Sequence, residues 1–302
     1  MTPHTDLWVD YYDKGYEREL DLLDDVMKVA GGNAFRAMRL YSDKLGRYDR
    51  HIVRGESDGQ VVVDRYELNE RPPRKIVPDS PTGFPVFGED TIVGEITRTS
   101  SYMDLSCQIP LFLVDYLIGH KGIEAVVELG SGAGEKLIGL YYHGCPRDIR
   151  LYGAEYSRFG REMNQRFVDA DKDFDVSVHP FDLRRPDLSF VEEKGHVLYF
   201  TSWSIMFVQH LGPDIFRSMV ASADRVTGIH FEPCGFQIAS VDYPVSRIQE
   251  SEARSKAWNV DLVPMLEALH NEGLIKLEYL AKDVMMGGGL SHPLTIAIWH
   301  KR

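Results

Sequence analysis

The sequence predicts an α/β fold: a seven-stranded, mostly parallel sheet with helices on both faces and an antiparallel last strand, preceded by an N-terminal cap of helices and a small β element. Three observations predict it. The 302 residues are 43% hydrophobic and 26% charged, which is the composition of a folded globular protein. Beyond about residue 110, short β-prone runs alternate with helical patterns, and such alternation requires crossover helices on both faces of a parallel sheet. The last two runs are separated by a short loop with three glycines, which indicates an antiparallel pair.

Residues 1–104 form the predicted N-terminal cap region. Its apolar residues step by four and three positions, then two β-prone runs follow, and a segment with five prolines comes last. The predicted elements are a helix over 16–30 that ends at Gly31-Gly32, a helix over 34–45 with Asn33 as its cap, a hairpin of 51–53 with 61–66, and an irregular segment over 72–85.

Residues 105–302 form the predicted sheet domain. The patterns predict a helix from about Pro110 to about His120, then strands at 125–129, 150–154, 176–181, 197–200 and 225–231, with helices at 135–142 and 157–168, where Ser157 is the cap. The final strands are predicted at 274–284 and 294–299, around the glycines 287–289.

The charge and the cysteines limit the partners and the compartment. With 34 basic and 46 acidic residues the net charge is −12, so we expect a small-molecule substrate and no nucleic acid, because nucleic-acid binders usually present a basic surface. Cys107, Cys145 and Cys234 show neither paired nor metal-type spacing, which indicates a reduced, cytoplasmic protein. No apolar run approaches the ~18 residues of a membrane span, and no export signal precedes the first helix, so no membrane association is expected.

A glycine-rich segment follows the first strand of the sheet domain and reads Glu128-Leu129-Gly130-Ser131-Gly132-Ala133-Gly134. Glycines at such a point let the backbone turn tightly and let a ligand lie against bare peptide. A dinucleotide fingerprint would need a third glycine at position 135, which is glutamate, so a nicotinamide-dependent oxidoreductase is disfavoured. The acid before the glycines suits a ligand whose ammonium group pairs with a carboxylate.

Two further acids end the next two predicted strands. Glu155 stands 27 residues after Glu128, and Asp182 stands 27 residues after Glu155. A carboxylate at the second strand end can accept both hydroxyls of a ribose, and we group its neighbour Tyr156 with it. Asp182 can accept from an exocyclic amino group while Leu183 packs on a ring. Since parallel strands bring their carboxyl ends to one edge, the three acids are expected to converge.

This set of residues resembles that of the class I, Rossmann-like S-adenosylmethionine-dependent methyltransferases, and the resemblance covers about residues 105–302. It implies S-adenosylmethionine as cofactor and S-adenosylhomocysteine as product. It also implies that the loop from Gly130 through Ser131 and Gly132 to Gly134 lies against the methionine and ribose portions, that Glu155 binds the ribose and that Asp182 binds the adenine. By the same resemblance, the segment Thr201-Ser202-Trp203-Ser204 lines the methyl group and its acceptor.

Methyl transfer from a sulfonium depends mainly on alignment, which can supply ~7–11 kcal/mol of the barrier. The candidate catalytic residues are Glu232 after the fifth strand, Trp203 as an acceptor wall and His210 as a base. Glu232 in an acidic protein favours a cationic amine or guanidine as acceptor, hence N-methylation. Arg98 and Tyr102 are candidate partners of the methionine carboxylate.

Several alternatives stay open. The acceptor could instead be a hydroxyl of a natural product or sugar, or a side chain of a protein or peptide. A donor-binding regulatory protein without transfer activity is the non-enzymatic alternative. The histidine spacing suggests no metal site, and a homodimer is left open.

Overall fold

The computed structural model describes residues 4–45, 48–57, 60–70, 88–92, 95–99, 102–239, 244–285 and 292–302. Its helices are α1 (His4–Ala30), α2 (Ala34–Leu45), α3 (Tyr102–Gly119), α4 (Glu135–Tyr142), α5 (Arg158–Ala170), α6 (Asp214–Ser222), α7 (Pro244–Ser255) and α8 (Leu262–Asn271). Its strands are β1 (Tyr48–Ser57), β2 (Gln60–Glu70), β3 (Gly88–Ile92), β4 (Glu95–Thr99), β5 (Ala125–Leu129), β6 (Arg150–Glu155), β7 (Ser177–Pro180), β8 (His196–Ser202), β9 (Arg225–Glu232), β10 (Ile275–Met285) and β11 (Leu294–Lys301).

The main sheet confirms the predicted fold class. Its seven strands lie in the order β10-β11-β9-β8-β5-β6-β7. The strands β5 to β9 are parallel, whereas β11 is antiparallel to both of its neighbours, β9 and β10. The parallel strands all end at one edge, which we call the strand-end rim, and the residues after Leu129, Glu155, Pro180, Ser202 and Glu232 lie along it.

Helices cover both faces of this sheet, as predicted. All five residues of β5 are buried, and successive side chains point to opposite faces, so Val126 and Val127 belong to different hydrophobic clusters. The cluster around Val126 includes residues of α1 to α5, and the cluster around Val127 includes residues of α6 and α8. The sheet is therefore buried on both sides.

The N-terminal cap region packs on the sheet domain through its helices. Glu19 of α1 is buried, and its carboxylate accepts hydrogen bonds from the Tyr41 hydroxyl of α2 and the Tyr66 hydroxyl of β2. Asp24 of α1 pairs with Arg166 of α5. The Asp24–Arg166 pair thus links α1 to α5, whereas the Glu19 hydrogen bonds hold α1 to α2 and β2 within the cap region.

The predicted boundaries are wrong at two helix starts. The first helix begins at His4 instead of Tyr16, because Gly15 lies inside the helix and does not mark its start. The missing side chain of Gly15 lets the Tyr66 ring approach the helix. Likewise α3 begins at Tyr102, and Pro110 lies within it against Gly139 of α4 instead of at its first turn. The proposed boundary between residues 104 and 105 thus falls inside α3.

The strands differ from prediction mainly in length and in one additional pair. The hairpin β1–β2 extends over 48–57 and 60–70, and the antiparallel pair β3–β4 was not predicted, because its short sequences lack a clear alternation. The proline-rich segment 72–85 and the glycines 287–289 lie outside the described residues. No helix in the described ranges has the length and apolar character that crossing a bilayer requires.

Candidate active site

The glycine segment forms a tight loop between β5 and α4. Gly130, Gly132 and Gly134 have φ angles of 80°, 53° and 82°, a left-handed region that favours glycine. The Gly130 and Ser131 amides both donate to the Ala154 carbonyl at the end of β6, at 2.7 and 3.1 Å. A Cβ on Gly130 would lie 2.4 Å from the Ser204 Cβ. The loop therefore depends on glycine both for its conformation and for its contact with the segment after β8.

Glu128 lies in β5 two residues before this loop and is 2% exposed. Its Oε2 has no hydrogen-bond partner within the described part of the chain. Burial holds the pKa of the Glu128 carboxyl well above its usual range, while the Lys136 ammonium lowers it and the carboxylates of Glu135 and Glu155 raise it. A buried carboxylate with an unsatisfied oxygen gains most from a cationic hydrogen-bond donor.

Glu155 ends β6 and faces the same loop. Its Oε2 accepts from the Gly132 amide at 2.7 Å, and its Oε1 accepts from the Ser157 amide at 2.7 Å. Burial raises the pKa of Glu155, and these two amides partly oppose that rise. The structure therefore brings Glu155 next to the glycine loop, as the sequence predicted, and shows that it also ties that loop to the cap of α5.

Asp182 follows β7 on the rim, where the Phe181 amide donates to the Glu155 carbonyl. Both oxygens of Asp182 bind Arg184: Oδ1 accepts from Nε at 2.9 Å and Oδ2 from Nη2 at 3.0 Å. Arg184 also lies over the exposed Tyr156 ring, at 5.4 Å from its centroid. Leu183 packs partly buried against the neighbouring cluster. The expected adenine-binding carboxylate is thus already paired.

The end of β8 and the residue after it hold the three residues that were expected on the acceptor side. Thr201 is buried and its hydroxyl bonds His230 at 3.0 Å, and the Ser202 hydroxyl is buried with no partner among the described residues. Trp203 has φ 50°, a conformation that costs about 1–3 kcal/mol in a residue with a side chain. The Lys136 ammonium lies 5.5 Å from the centroid of its ring. Strain of this kind clusters at functional sites.

Glu232 ends β9 and is 1% exposed. Its Oε1 accepts from the amides of Ser204 and Ile205 at 3.1 and 3.2 Å, and its Oε2 accepts from the Met206 amide at 3.3 Å. Burial raises the pKa of Glu232 to about 7, while these hydrogen bonds and one from Thr201 lower it. Glu232 therefore holds the segment after β8 in place through its backbone amides.

The remaining candidates are dispersed or lie outside the described side chains. His210 is exposed and lies 3.3 Å from the Asp261 carboxylate, so water surrounds it. Arg98 pairs with Glu89 in the β3–β4 ladder and Tyr102 is the first residue of α3, but their side chains lie outside the described part. In the ranges described, no three or more His, Cys, Asp or Glu residues cluster in a way that could hold a metal ion.

Three residues of the site were missed by sequence reasoning. Asn164 of α5 is fully buried, its Nδ2 donates to Ser131, and its Oδ1 has no partner within the described ranges. The ammonium group of Lys136 in α4 lowers the pKa of Glu128 and lies over the Trp203 ring. Tyr16 of α1 lies against Gly132. Only Asn164 could have been found from the sequence, because it is an amide on the apolar face of a predicted helix. Lys136 and Tyr16 belong to the site only through long-range contacts.

Comparison with known proteins gives only distant structural matches. No family model and no curated protein matches the chain. Among solved structures, the mitomycin 7-O-methyltransferase MmcR matches with a TM-score of 0.46 and 13% identity over 66% of this chain and 54% of that one. Magnesium protoporphyrin IX methyltransferase from Synechocystis PCC 6803, with S-adenosylhomocysteine bound, matches with a TM-score of 0.46 and 12% identity over 68% of this chain and 89% of that one.

A third match is the pyocyanin biosynthetic protein PhzM, with a TM-score of 0.44 and 15% identity over 66% of this chain and 55% of that one. The match spans little more than half the length of MmcR and of PhzM. The activities in these names are properties of those proteins. The strand order, the antiparallel last strand and the glycine loop after β5 give this chain the class I methyltransferase fold.

Proposed function

We propose that the protein is an S-adenosylmethionine-dependent methyltransferase that acts on a small-molecule acceptor. The observation that carries the proposal is Glu128, a buried carboxylate with one unsatisfied oxygen directly before a left-handed glycine loop. The donor's ammonium group is a cation of the kind that such an oxygen would pair with. The unpartnered Oδ1 of Asn164 in the same neighbourhood is a second acceptor that a ligand would satisfy.

The donor-side residues fit this cofactor by their chemistry. Glu128 would hold the ammonium group, the loop from Gly130 to Gly134 would offer bare backbone, and Glu155 would accept from ribose hydroxyls. When bound, the sulfonium supplies a methyl group that is already activated for displacement. The task of the protein is then to align the acceptor and to exclude water, and the buried rim around Ser202 and Trp203 is suited to both.

The proposal also includes the chemical class of the acceptor. A cationic amine or guanidine that undergoes N-methylation is supported by the acidic protein and by the buried Glu232 at this end of the rim. An acceptor with a hydroxyl group is the second candidate, and one observation favours it: three backbone amides already occupy the oxygens of Glu232. That leaves Glu232 less capacity to pair directly with a cation.

Calorimetric titration of the full chain with S-adenosylmethionine and S-adenosylhomocysteine tests the donor site. We expect both to bind, and absence of binding by either would contradict the proposal. A screen with methyl-labelled donor, in which amines, guanidines and hydroxyl compounds are compared, then identifies the acceptor class. Binding with no transfer in the screen would instead favour the donor-binding regulatory protein.

A further inference from the structure

The helix α1 belongs to the N-terminal cap region, but it lies over the glycine loop of the sheet domain. Its half-buried Tyr16 reaches the loop: a Cβ on Gly132 would lie 2.5 Å from the Tyr16 hydroxyl oxygen. So close an approach requires glycine at position 132. A ligand that lies against Gly132 on this side of the loop would therefore lie beside the Tyr16 hydroxyl.

The ring of Tyr16 also lies next to Glu155. At Gly160 of α5, a Cβ would be 3.1 Å from both the Glu155 Cγ and the Tyr16 Cε2, which shows that the two side chains converge on one point. Glu155 is the residue proposed to bind the ribose of the donor. Tyr16 thus places a hydroxyl group beside the ribose-binding carboxylate and the glycine loop at once.

Specific contacts hold α1 in this position. Three residues before Tyr16, Asp13 accepts a hydrogen bond of 2.7 Å from Ser157, the residue that also caps α5. Tyr12, one turn before Tyr16, packs edge-on against Phe207 in the segment after β8, with ring centroids 4.8 Å apart. The helix therefore contacts the donor side and the acceptor side of the rim within a single turn.

We infer that Tyr16 is a donor-binding residue, whose hydroxyl hydrogen-bonds the bound donor next to Glu155, and that α1 covers the donor site. The inference rests on the proposed function. It assigns a ligand contact to the first helix of the N-terminal cap region, whereas the sequence reasoning expected such contacts in that region only from Arg98 and Tyr102. It also explains why a helix outside the sheet domain is fixed against the glycine loop through Asp13, Tyr12 and Tyr16.

The first test is titration of S-adenosylhomocysteine into the wild type and into the Tyr16→Phe and Tyr11→Phe variants. Tyr16→Phe removes the hydroxyl and retains the ring, so we expect about 3- to 10-fold weaker binding, the size that loss of one hydrogen bond gives. Tyr11 lies on the same helix but contacts Tyr66, so Tyr11→Phe is the matched control and should bind as the wild type does. Unchanged or tighter binding by Tyr16→Phe would overturn the inference.

The second test needs no variant. Hydrogen exchange of the wild type is followed with and without S-adenosylhomocysteine, and we expect the donor to slow amide exchange in α1 between residues 11 and 20. If calorimetry shows binding but the exchange rates in α1 do not change, α1 does not cover the donor site. The proposed function would then still stand. A wild type that does not bind S-adenosylhomocysteine at all would instead contradict the proposed function itself.

Discussion

Two buried glutamates on the strand-end rim, Glu128 on the proposed donor side and Glu232 on the proposed acceptor side, differ in what surrounds their oxygens. Both are at least 98% buried, and burial raises the pKa of both. Glu128 retains an oxygen without a partner in the described part, whereas three backbone amides occupy Glu232. Position at a strand end is therefore not sufficient to assign a role: Glu128 keeps an oxygen that a cationic ligand would satisfy, whereas the oxygens of Glu232 hold the segment after β8.

The largest effect is expected for Glu128→Gln. Removal of the charge should weaken donor binding by roughly 10- to 100-fold, because a hydrogen bond to a charged group is worth about 1.5–3 kcal/mol. The melting temperature should not fall, since the variant no longer buries an unpaired carboxylate. Titration calorimetry and thermal unfolding measure the two quantities.

Glu135→Gln is the matched control for that experiment, because Glu135 is a neighbouring carboxylate next to Lys136 whose side chain is 36% exposed. Its donor affinity should stay within about 2-fold of wild type, because the Lys136–Glu135 pair is partly exposed and its N···O distance is 3.5 Å, the geometry of a weak ion pair. Equal weakening in both variants would mean that general negative charge, and not the buried oxygen of Glu128, attracts the donor.

Glu232→Gln tests the other side of the comparison. An amide retains one acceptor oxygen for the Ser204 and Ile205 amides but presents an NH₂ group to the Met206 amide, so we expect ~1–3 kcal/mol lower stability. Acceptor turnover should fall while S-adenosylhomocysteine affinity stays nearly unchanged. Equal loss of turnover and of donor affinity would indicate that Glu232 acts in donor binding instead.

The pH dependence of stability in the wild type and in Glu232→Gln tests the role of Glu232 further. The pKa of Glu232 is raised from 4.5 to about 7, so between these values the folded state binds more protons than the unfolded state. The stability that Glu232 contributes is thus fully present below pH ~4.5 and is lost as the pH rises to about 7. The difference in unfolding free energy between wild type and Glu232→Gln should follow this course in urea titrations, and a flat difference would show that the buried group does not titrate there.

The smallest effect is expected for Arg184→Met. It releases the Asp182 carboxylate from a partly exposed pair worth about 0.2–1 kcal/mol. If Asp182 binds the adenine amino group, donor affinity should improve by about 2- to 5-fold in the calorimeter. Lys172→Met, at an exposed residue of the loop before β7, is the control and should leave the affinity unchanged.

The sequence was sufficient for the features that local patterns encode. The strands β5, β6 and β9, the bounds of α4 and the Ser157 cap follow from apolar runs, glycines and a short polar side chain, all of which act within a few residues. The seven-stranded sheet with its antiparallel last strand follows from the order of these elements. The convergence of Glu128 and Glu155 follows in turn from the parallel strand direction.

The contacts of the other candidate site residues could not be predicted from local sequence patterns. Whether Glu232 faces a ligand or three amides depends on how the segment after β8 folds back over β9, and that is a long-range contact. Asp182 is paired with Arg184, and no spacing rule in the sequence distinguishes an acid that forms such a pair from one that is available to a ligand. Tyr16 was assigned only to an apolar stripe, because the approach of α1 to Gly132 joins positions more than 100 residues apart.

The insertion of β11 between β9 and β10 has a consequence for incomplete chains. A chain cut before Leu294 would leave the facing ladders of β9 and β10 without hydrogen-bond partners, and Gly228 without the Trp299 ring that packs on it. Two unpaired strand edges beside an exposed apolar surface are a template for pairing with other molecules. Truncated forms of this protein should therefore self-associate, even though the glycine loop and its acids would all be present.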